Sequence, residues 1–183
     1  MNTNPFRLIV FSVVGAAFLW VGVWSFGGPW SGTTTWDSVF AWIQRDWPEV
    51  PQMTAGELAL RLRTPHAQPI LIDTRTQKEY AVSHLAGARW AETPAQIRAA
   101  LVDVPPDRAV VLYCSVGVRS SKAAAELLRG GRGNVFNLHG SIFQWANEGR
   151  SVVRDGKPVA VVHPYNRKWS VLLDPRLHAG QAP

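Results

Sequence analysis

AVVLYCSVGVRSSKAAAELLR, residues 109–129, is the stretch that decides the fold of this 183-residue chain. It begins with an uninterrupted apolar run, residues 109–113, which predicts a strand buried on both faces of a parallel sheet. It ends with residues 121–129, which are rich in Ala, Leu, Glu and Lys and predict a helix that stops at Gly130. Between the two lies Cys114, the single cysteine of the chain.

Cys114 follows the carboxyl end of a predicted strand and precedes a helix, which is where α/β proteins bind ligands. We expect five residues to bind substrate around the thiol through their backbone N–H groups: Ser115, Val116, Gly117, Val118 and Arg119. The helix dipole and the charge of Arg119 favour the thiolate, and comparable settings lower cysteine pKa values to about 3.5–7.5. The alternative is a buried structural cysteine, because free cysteine is among the most buried residue types.

The loop resembles the active-site loop of the rhodanese (sulfurtransferase) family, which runs strand, Cys, four residues, Arg, helix. Three further segments are similar to that family. Residues 70–75 (ILIDTR) match its strand ending in Asp-x-Arg, and residues 79–88 (EYAVSHLAGA) match its Glu-Tyr and Gly-His-Ile-x-Gly-Ala segment. Residues 135–152 match its last strand, glycine turn and Trp-containing helix. The resemblance covers residues 52–155 in the right order.

The resemblance implies an α/β fold with a parallel sheet of about five strands and helices on both faces, as the alternation of helices and short apolar strands also does. It also implies a thiosulfate sulfurtransferase-like transferase. Such an enzyme carries sulfane sulfur from a small anionic donor to a thiol or protein acceptor through a persulfide on the catalytic Cys114. No cofactor is expected.

Two residues depart from the family pattern. Ser83 stands where the family usually has Gly, and Ser141 replaces the second glycine of a common Gly-Gly pair. Neither is expected to touch the thiol, so we expect both to affect only the local backbone shape.

Three further polar residues have two interpretations each, and two of them, Asp73 and Arg75, lie at the carboxyl end of a predicted strand. Asp73 and Arg75 either support the active-site loop or form a salt bridge that ties neighbouring loops together. His84 is either a general base or, as the resemblance implies, a structural residue, and a thiolate of low pKa needs no base.

Two other functional classes compete with sulfur transfer. Cell-cycle phosphatases resemble this scaffold but have five residues between Cys and Arg. The loop of this chain has four, so it should be too small to surround a phosphate-sized group. A phosphatase or arsenate reductase is therefore the weaker alternative. A sulfur-carrier or partner-binding module with little thiosulfate turnover is the other alternative.

Composition excludes several kinds of site. A single cysteine excludes an internal disulfide and a multi-cysteine zinc site, and the histidines lack metal-ligand spacing. Beyond residue 51 the chain has seventeen basic and ten acidic side chains, which suits anionic substrates or lipid headgroups but is equally consistent with a solvated surface. The sequence has no run of Lys and Arg interleaved with aromatic residues, so nucleic-acid binding is not predicted.

The first part of the chain predicts a membrane anchor. Residues 8–26 carry no charge and would span about 28 Å as a helix, close to the hydrocarbon thickness of a bilayer. Arg7 and the terminal amine precede this segment, so the positive-inside rule predicts a single-pass protein of the inner membrane with a periplasmic catalytic domain. A cleavable signal peptide is the alternative, but its apolar core is usually shorter and residues 24–29 (WSFGGP) make a poor cleavage site.

The predicted organisation has four parts: an N-terminal transmembrane anchor (residues 1–30), a Trp-rich amphipathic linker (31–51), a rhodanese-like domain (52–155) and a C-terminal extension (156–183). In the linker, residues 35–47 predict a helix with one aromatic and aliphatic face: Trp36, Val39, Phe40, Ile43 and Trp47. That face suits either the bilayer surface or packing on the domain. The extension suggests a strand at residues 159–162 and suits packing on the domain, a partner or a membrane surface.

Overall fold

The computed structural model describes residues 34–66 and 68–180. Its helices are α1 (Trp36–Asp46), α2 (Ala55–Arg63), α3 (Gln77–Val82), α4 (Pro94–Ala100), α5 (Val118–Arg129), α6 (Ser141–Asn147) and α7 (Arg167–Ser170). Its strands are β1 (Gln52–Met53), β2 (Ile70–Asp73), β3 (Arg89–Trp90), β4 (Val110–Tyr113), β5 (Val135–Leu138), β6 (Val152–Arg154) and β7 (Lys157–Val159).

The first five strands form one parallel sheet in the order β1-β5-β4-β2-β3. All four residues of the central strand β4 are buried, as the apolar run predicts. Alternate side chains of this strand enter two different cores, with Val111 and Tyr113 on one face and Val110 and Leu112 on the other. The predicted five-stranded α/β fold with both faces covered is confirmed.

Threonine side chains begin each of the first four helices. Thr35, Thr54, Thr76 and Thr93 accept a hydrogen bond from the N–H three residues later, and each of those later side chains bonds back to the cap. Such caps typically stabilise a helix by about 1 kcal/mol. Helix α4 also has Pro94 in its first turn and ends at Ala100.

Helix α5 begins at Val118, three residues earlier than predicted. Gly117 takes the N-cap position with φ +111°, in a left-handed region that L side chains rarely adopt. A Cβ at this position would lie 3.1 Å from Ile43 Cδ1 and 3.2 Å from Asn137 Nδ2. The glycine thus lets the loop after β4 turn tightly into the helix, with α1 and β5 close behind it.

Helix α1 packs against the domain with its aromatic and aliphatic face. Val39 and Ile43 are buried in the core, and Trp36, Phe40 and Trp47 are partly buried against it. Of the two interpretations of this face, packing on the domain is the one that the structure shows.

The segment after residue 151 also packs on the domain. Strands β6 and β7 form an antiparallel pair, and Val153 bridges to His84. The strand suggested at residues 159–162 is instead at Lys157–Val159, because Asp155 and Gly156 turn the chain into the hairpin with positive φ. Farther along, Leu172 and Leu173 are buried in the core.

Across residues 34–66 and 68–180, no helix is long and apolar enough to cross a membrane. The predicted anchor at residues 8–26 lies outside the described residues.

Candidate active site

Cys114 lies directly after β4, at the carboxyl edge of the sheet. Its backbone N–H donates to Ser141 Oγ (3.1 Å), and its carbonyl accepts from Ile142 N–H (3.2 Å). Ser141 was expected to matter only for backbone shape, and its φ is indeed +51°, but its hydroxyl also fixes the backbone of the cysteine. The beginning of α6 therefore holds Cys114 in position, and the residue is only 2% exposed.

The thiol accepts a hydrogen bond from the N-cap residue of α5. Gly117 N–H donates to Cys114 Sγ at 3.2 Å. A second contribution comes from Ser120, a residue that the sequence analysis did not select. Both the backbone N–H and the hydroxyl of Ser120 lower the pKa of the thiol, and the hydroxyl donates to Asn137 Oδ1 (2.6 Å).

The pKa of the Cys114 thiol lies below its ordinary value. Burial alone raises it, but the charge of Arg119 and the N–H groups of Ser120 and Gly117 together outweigh burial and lower it. Burial of the cysteine thus coexists with a preference for the thiolate.

Arg119 is held by a carboxylate rather than extended into solvent. Its Nη1 and Nη2 atoms donate to Glu79 Oε2 (2.9 Å) and Oε1 (2.7 Å), and Nη2 also donates to Ser115 Oγ (3.0 Å). Ser115 in turn donates to Glu79 Oε1 (2.9 Å). The side chains of both loop residues are therefore committed to one carboxylate, which fixes the guanidinium while its side chain stays 32% exposed.

Glu79 is the central polar residue of this network, a role that no pattern in the sequence predicts. It is 2% exposed and also accepts hydrogen bonds from the N–H (3.0 Å) and hydroxyl (2.8 Å) of Thr76. Although burial opposes ionisation, the bonds from Arg119 and Thr76 lower the pKa of Glu79 to about 2. The spacing of Thr76 and Glu79 was a readable sign of a helix cap, but no sequence signal linked Glu79 to an arginine forty residues away.

Asp73 and Arg75 form a fully buried ion pair beside the site. Arg75 Nη2 donates to Asp73 Oδ2 (2.7 Å) and to the carbonyl of Ser83 (2.6 Å), and the guanidinium lies 5.9 Å from the Tyr113 ring centroid. These contacts tie the loop after β2 to the end of α3, which agrees with the salt-bridge interpretation. Ser83 has extended backbone (φ −172°), a conformation open to any residue.

His84 makes structural contacts. Its Nδ1 lies 3.1 Å from the carbonyl of Tyr80, and its ring stacks on the Tyr80 ring at 3.9 Å between centroids. Within the described ranges, no cluster of three or more His, Cys, Asp or Glu side chains could hold a metal ion.

The segment after residue 156 contributes one residue to the site. The ring of Tyr165 lies over the guanidinium of Arg119, with 4.6 Å between Arg119 Cζ and the ring centroid. This contact was not foreseen, because Tyr165 falls outside the segments that resemble the rhodanese family.

Comparison with known proteins shows which family this site belongs to. The family model described as "Rhodanese-like domain" matches residues 54–148. A "Sulfurtransferase" of Allochromatium vinosum is 39% identical over 85 residues, covering 46% of this chain and 78% of that protein. A "tRNA uridine(34) hydroxylase" of Erwinia tasmaniensis is 30% identical over 114 residues, covering 58% of this chain and 31% of that protein.

Among solved structures, a thiosulfate sulfurtransferase from Pseudomonas aeruginosa matches 65% of this chain and 23% of its own chain, with a TM-score of 0.55 and 23% identity. At that identity the likeness concerns the fold alone.

Proposed function

Because the chain belongs to the rhodanese-like domain family, we propose that it transfers sulfane sulfur from an anionic, thiosulfate-like donor to a thiophilic acceptor through a persulfide on Cys114. The observation that carries the proposal is the hydrogen bond from Gly117 N–H to Cys114 Sγ, beside a fixed arginine. A thiolate stabilised in this way is the nucleophile that the first step requires. The Allochromatium vinosum relative, named a sulfurtransferase, supports the same chemistry.

In the first step, the Cys114 thiolate attacks the outer sulfur of the donor. A new S–S bond forms to Cys114, the bond between the two donor sulfurs breaks, and sulfite leaves with the electron pair. The terminal sulfur of the persulfide then carries the negative charge. The N–H groups of Gly117 and Ser120 and the charge of Arg119 stabilise that anion.

In the second step, a nucleophile such as cyanide or a thiolate attacks the terminal sulfur. The persulfide S–S bond breaks, and the Cys114 thiolate leaves with the electron pair and is regenerated. Since the chain has a single cysteine, no second thiol of the same chain can resolve the persulfide, and the acceptor is another molecule. This sequence of steps predicts ping-pong kinetics.

Intact-mass measurement after exposure to thiosulfate tests the proposal most directly. We expect a gain of one sulfur atom, its loss on addition of cyanide, and neither change in Cys114→Ser or in protein alkylated beforehand with iodoacetamide. Circular dichroism of the serine variant should match the wild type, because the substitution replaces one small side chain by another. A Cys114→Ser protein that retains thiosulfate:cyanide activity would refute the mechanism.

The sulfur-carrier alternative remains the second candidate. It is favoured by the burial of Cys114, since a residue 2% exposed suits slow exchange with small molecules and delivery to one docked acceptor. A mass gain without cyanide turnover would support the carrier. Hydrolysis of phosphate esters that depends on Cys114 would instead support the phosphatase alternative, which the four-residue spacing from Cys114 to Arg119 disfavours.

We further propose that residues 8–26 anchor the chain in the inner membrane as a single span, with the sulfur-transfer site in the periplasm. The support is the uncharged run and the basic residue that precedes it. Reporter fusions to the carboxyl end test this: a periplasm-active reporter should be active, and a cytoplasm-active one should not. The reverse pattern would overturn the orientation.

A further inference from the structure

We propose that Tyr165 is a positioning residue that acts through Arg119: its ring holds the guanidinium in place beside the Cys114 loop during sulfur transfer. The inference rests on the proposed sulfur-transfer function and adds a residue from outside the stretch that the family model matches.

The geometry is that of a cation–π contact. A separation of 4.6 Å between Arg119 Cζ and the ring centroid of Tyr165 is well within the range of about 6 Å at which such contacts are attractive. Glu79 holds the edge of the same guanidinium with two hydrogen bonds. The edge and the face of the Arg119 guanidinium are therefore held by two different segments of the chain.

The backbone around Tyr165 is arranged to present this ring. Tyr165 has φ +65°, which is uncommon for a residue with a bulky side chain, and its N–H donates to His163 Nδ1 (3.0 Å). Immediately afterwards, the Asn166 side chain caps α7. Strained backbone of this kind persists only where the surrounding structure enforces it, and here it lies at the candidate active site.

The segment that carries Tyr165 is anchored on both sides. Before it, Val162 N–H donates to the carbonyl of Leu177 (2.7 Å); after it, Leu172 and Leu173 are buried in the core. Tyr165 itself is 40% exposed, so burial of its own side chain is not the main reason for its position. Its ring shields one face of Arg119 from water, and a less hydrated guanidinium attracts the Cys114 thiolate and an anionic donor more strongly.

Removal of the ring should weaken both effects of Arg119. For Tyr165→Ala and Tyr165→Leu we expect the Michaelis constant for thiosulfate to rise about two- to fivefold, from the strength of an exposed cation–π contact, with that for cyanide unchanged. Iodoacetamide should alkylate Cys114 two- to fivefold more slowly below the pKa of its thiol, because that pKa rises. Tyr165→Phe keeps the ring and should restore both values.

Val171→Ala is the matched control, because Val171 belongs to the same segment and is 65% exposed. It should leave both measurements at the wild-type value. The proposal is overturned if Tyr165→Leu, folded by circular dichroism, alkylates at the wild-type rate, or if Tyr165→Phe is as impaired as Tyr165→Leu. Alkylation is independent of sulfur transfer, so a chain that fails to accept sulfur would refute the proposed function while leaving this test intact.

Discussion

Replacement of Glu79 by glutamine should destabilise the protein in a way that depends strongly on pH. Glutamine resembles a protonated glutamate, so the variant removes the charge of the carboxylate while retaining its size. The folded state holds the pKa of Glu79 at about 2, below its usual value of 4.5. Each pKa unit corresponds to 1.36 kcal/mol, so the charged carboxylate contributes about 3 kcal/mol to the free energy of unfolding at pH 7.

The sign of the pH dependence follows from the direction of the shift. A lowered pKa means that the contribution is complete above the unfolded value of 4.5 and is lost as the pH falls toward 2. In urea denaturation, the free energies of unfolding of the wild type and Glu79→Gln should therefore differ by about 3 kcal/mol at pH 7. At pH 3 the difference should be about half of that, or less.

Glu57→Gln is the matched control for this experiment. Glu57 occupies the same position of a capping box, accepting from the N–H and hydroxyl of Thr54, but it is exposed and does not hold an arginine at the active site. At pH 7, Glu57→Gln should lower the free energy of unfolding by less than Glu79→Gln does. A difference of less than about 1 kcal/mol in the free energy of unfolding between Glu79→Gln and the wild type at pH 7, or equal differences at pH 7 and pH 3, would contradict this role of the Glu79 carboxylate.

Three further changes test other parts of the site. Asp73→Asn leaves the buried Arg75 without its carboxylate, so urea denaturation should show a loss of about 3–5 kcal/mol, and a loss below about 1 kcal/mol would contradict the ion-pair assignment. Gly117→Ala combines a strained φ with a Cβ 3.1 Å from Ile43, so sulfur transfer should fall about tenfold or more. Gly149→Ala, also at positive φ but with open space around its Cβ, should transfer sulfur at the wild-type rate. Arg119→Gln removes the charge that lowers the pKa of Cys114, so the midpoint of iodoacetamide alkylation against pH should move upward, and an unchanged midpoint would exclude Arg119 as the cause.

The sequence predicted the parts of the fold that depend on local patterns. The apolar runs at β2, β4 and β5 were readable, because a buried strand leaves its mark within a few residues. The beginning of α5 was not, since an N-cap glycine in the left-handed region lacks the side-chain cap that usually identifies a helix start.

The loop residues of the candidate site were predictable from the sequence, but the residues that hold them in place were not. Cys114 and Arg119 are five positions apart, whereas two of the residues that hold Arg119 are distant in sequence: Glu79 precedes it by forty positions, and Tyr165 follows it in another segment. Only the parallel order of the strands brings Glu79 to the same edge of the sheet. Ser141 was noticed as a departure from the family, but the hydrogen bond from its hydroxyl to Cys114 required the folded chain.

The packing of α1 has a consequence for truncated forms of this protein. A fragment cut at the limits of the matched family model, residues 54–148, would lose Ile43, whose methyl group lies behind Gly117, and would lose β1 from the edge of the sheet. It would also lose Tyr165. Such a fragment would keep Cys114 and Arg119 but would lack the side chain that packs against Gly117 and the ring that stacks on Arg119, so inactivity of the fragment would not show that the full chain is inactive.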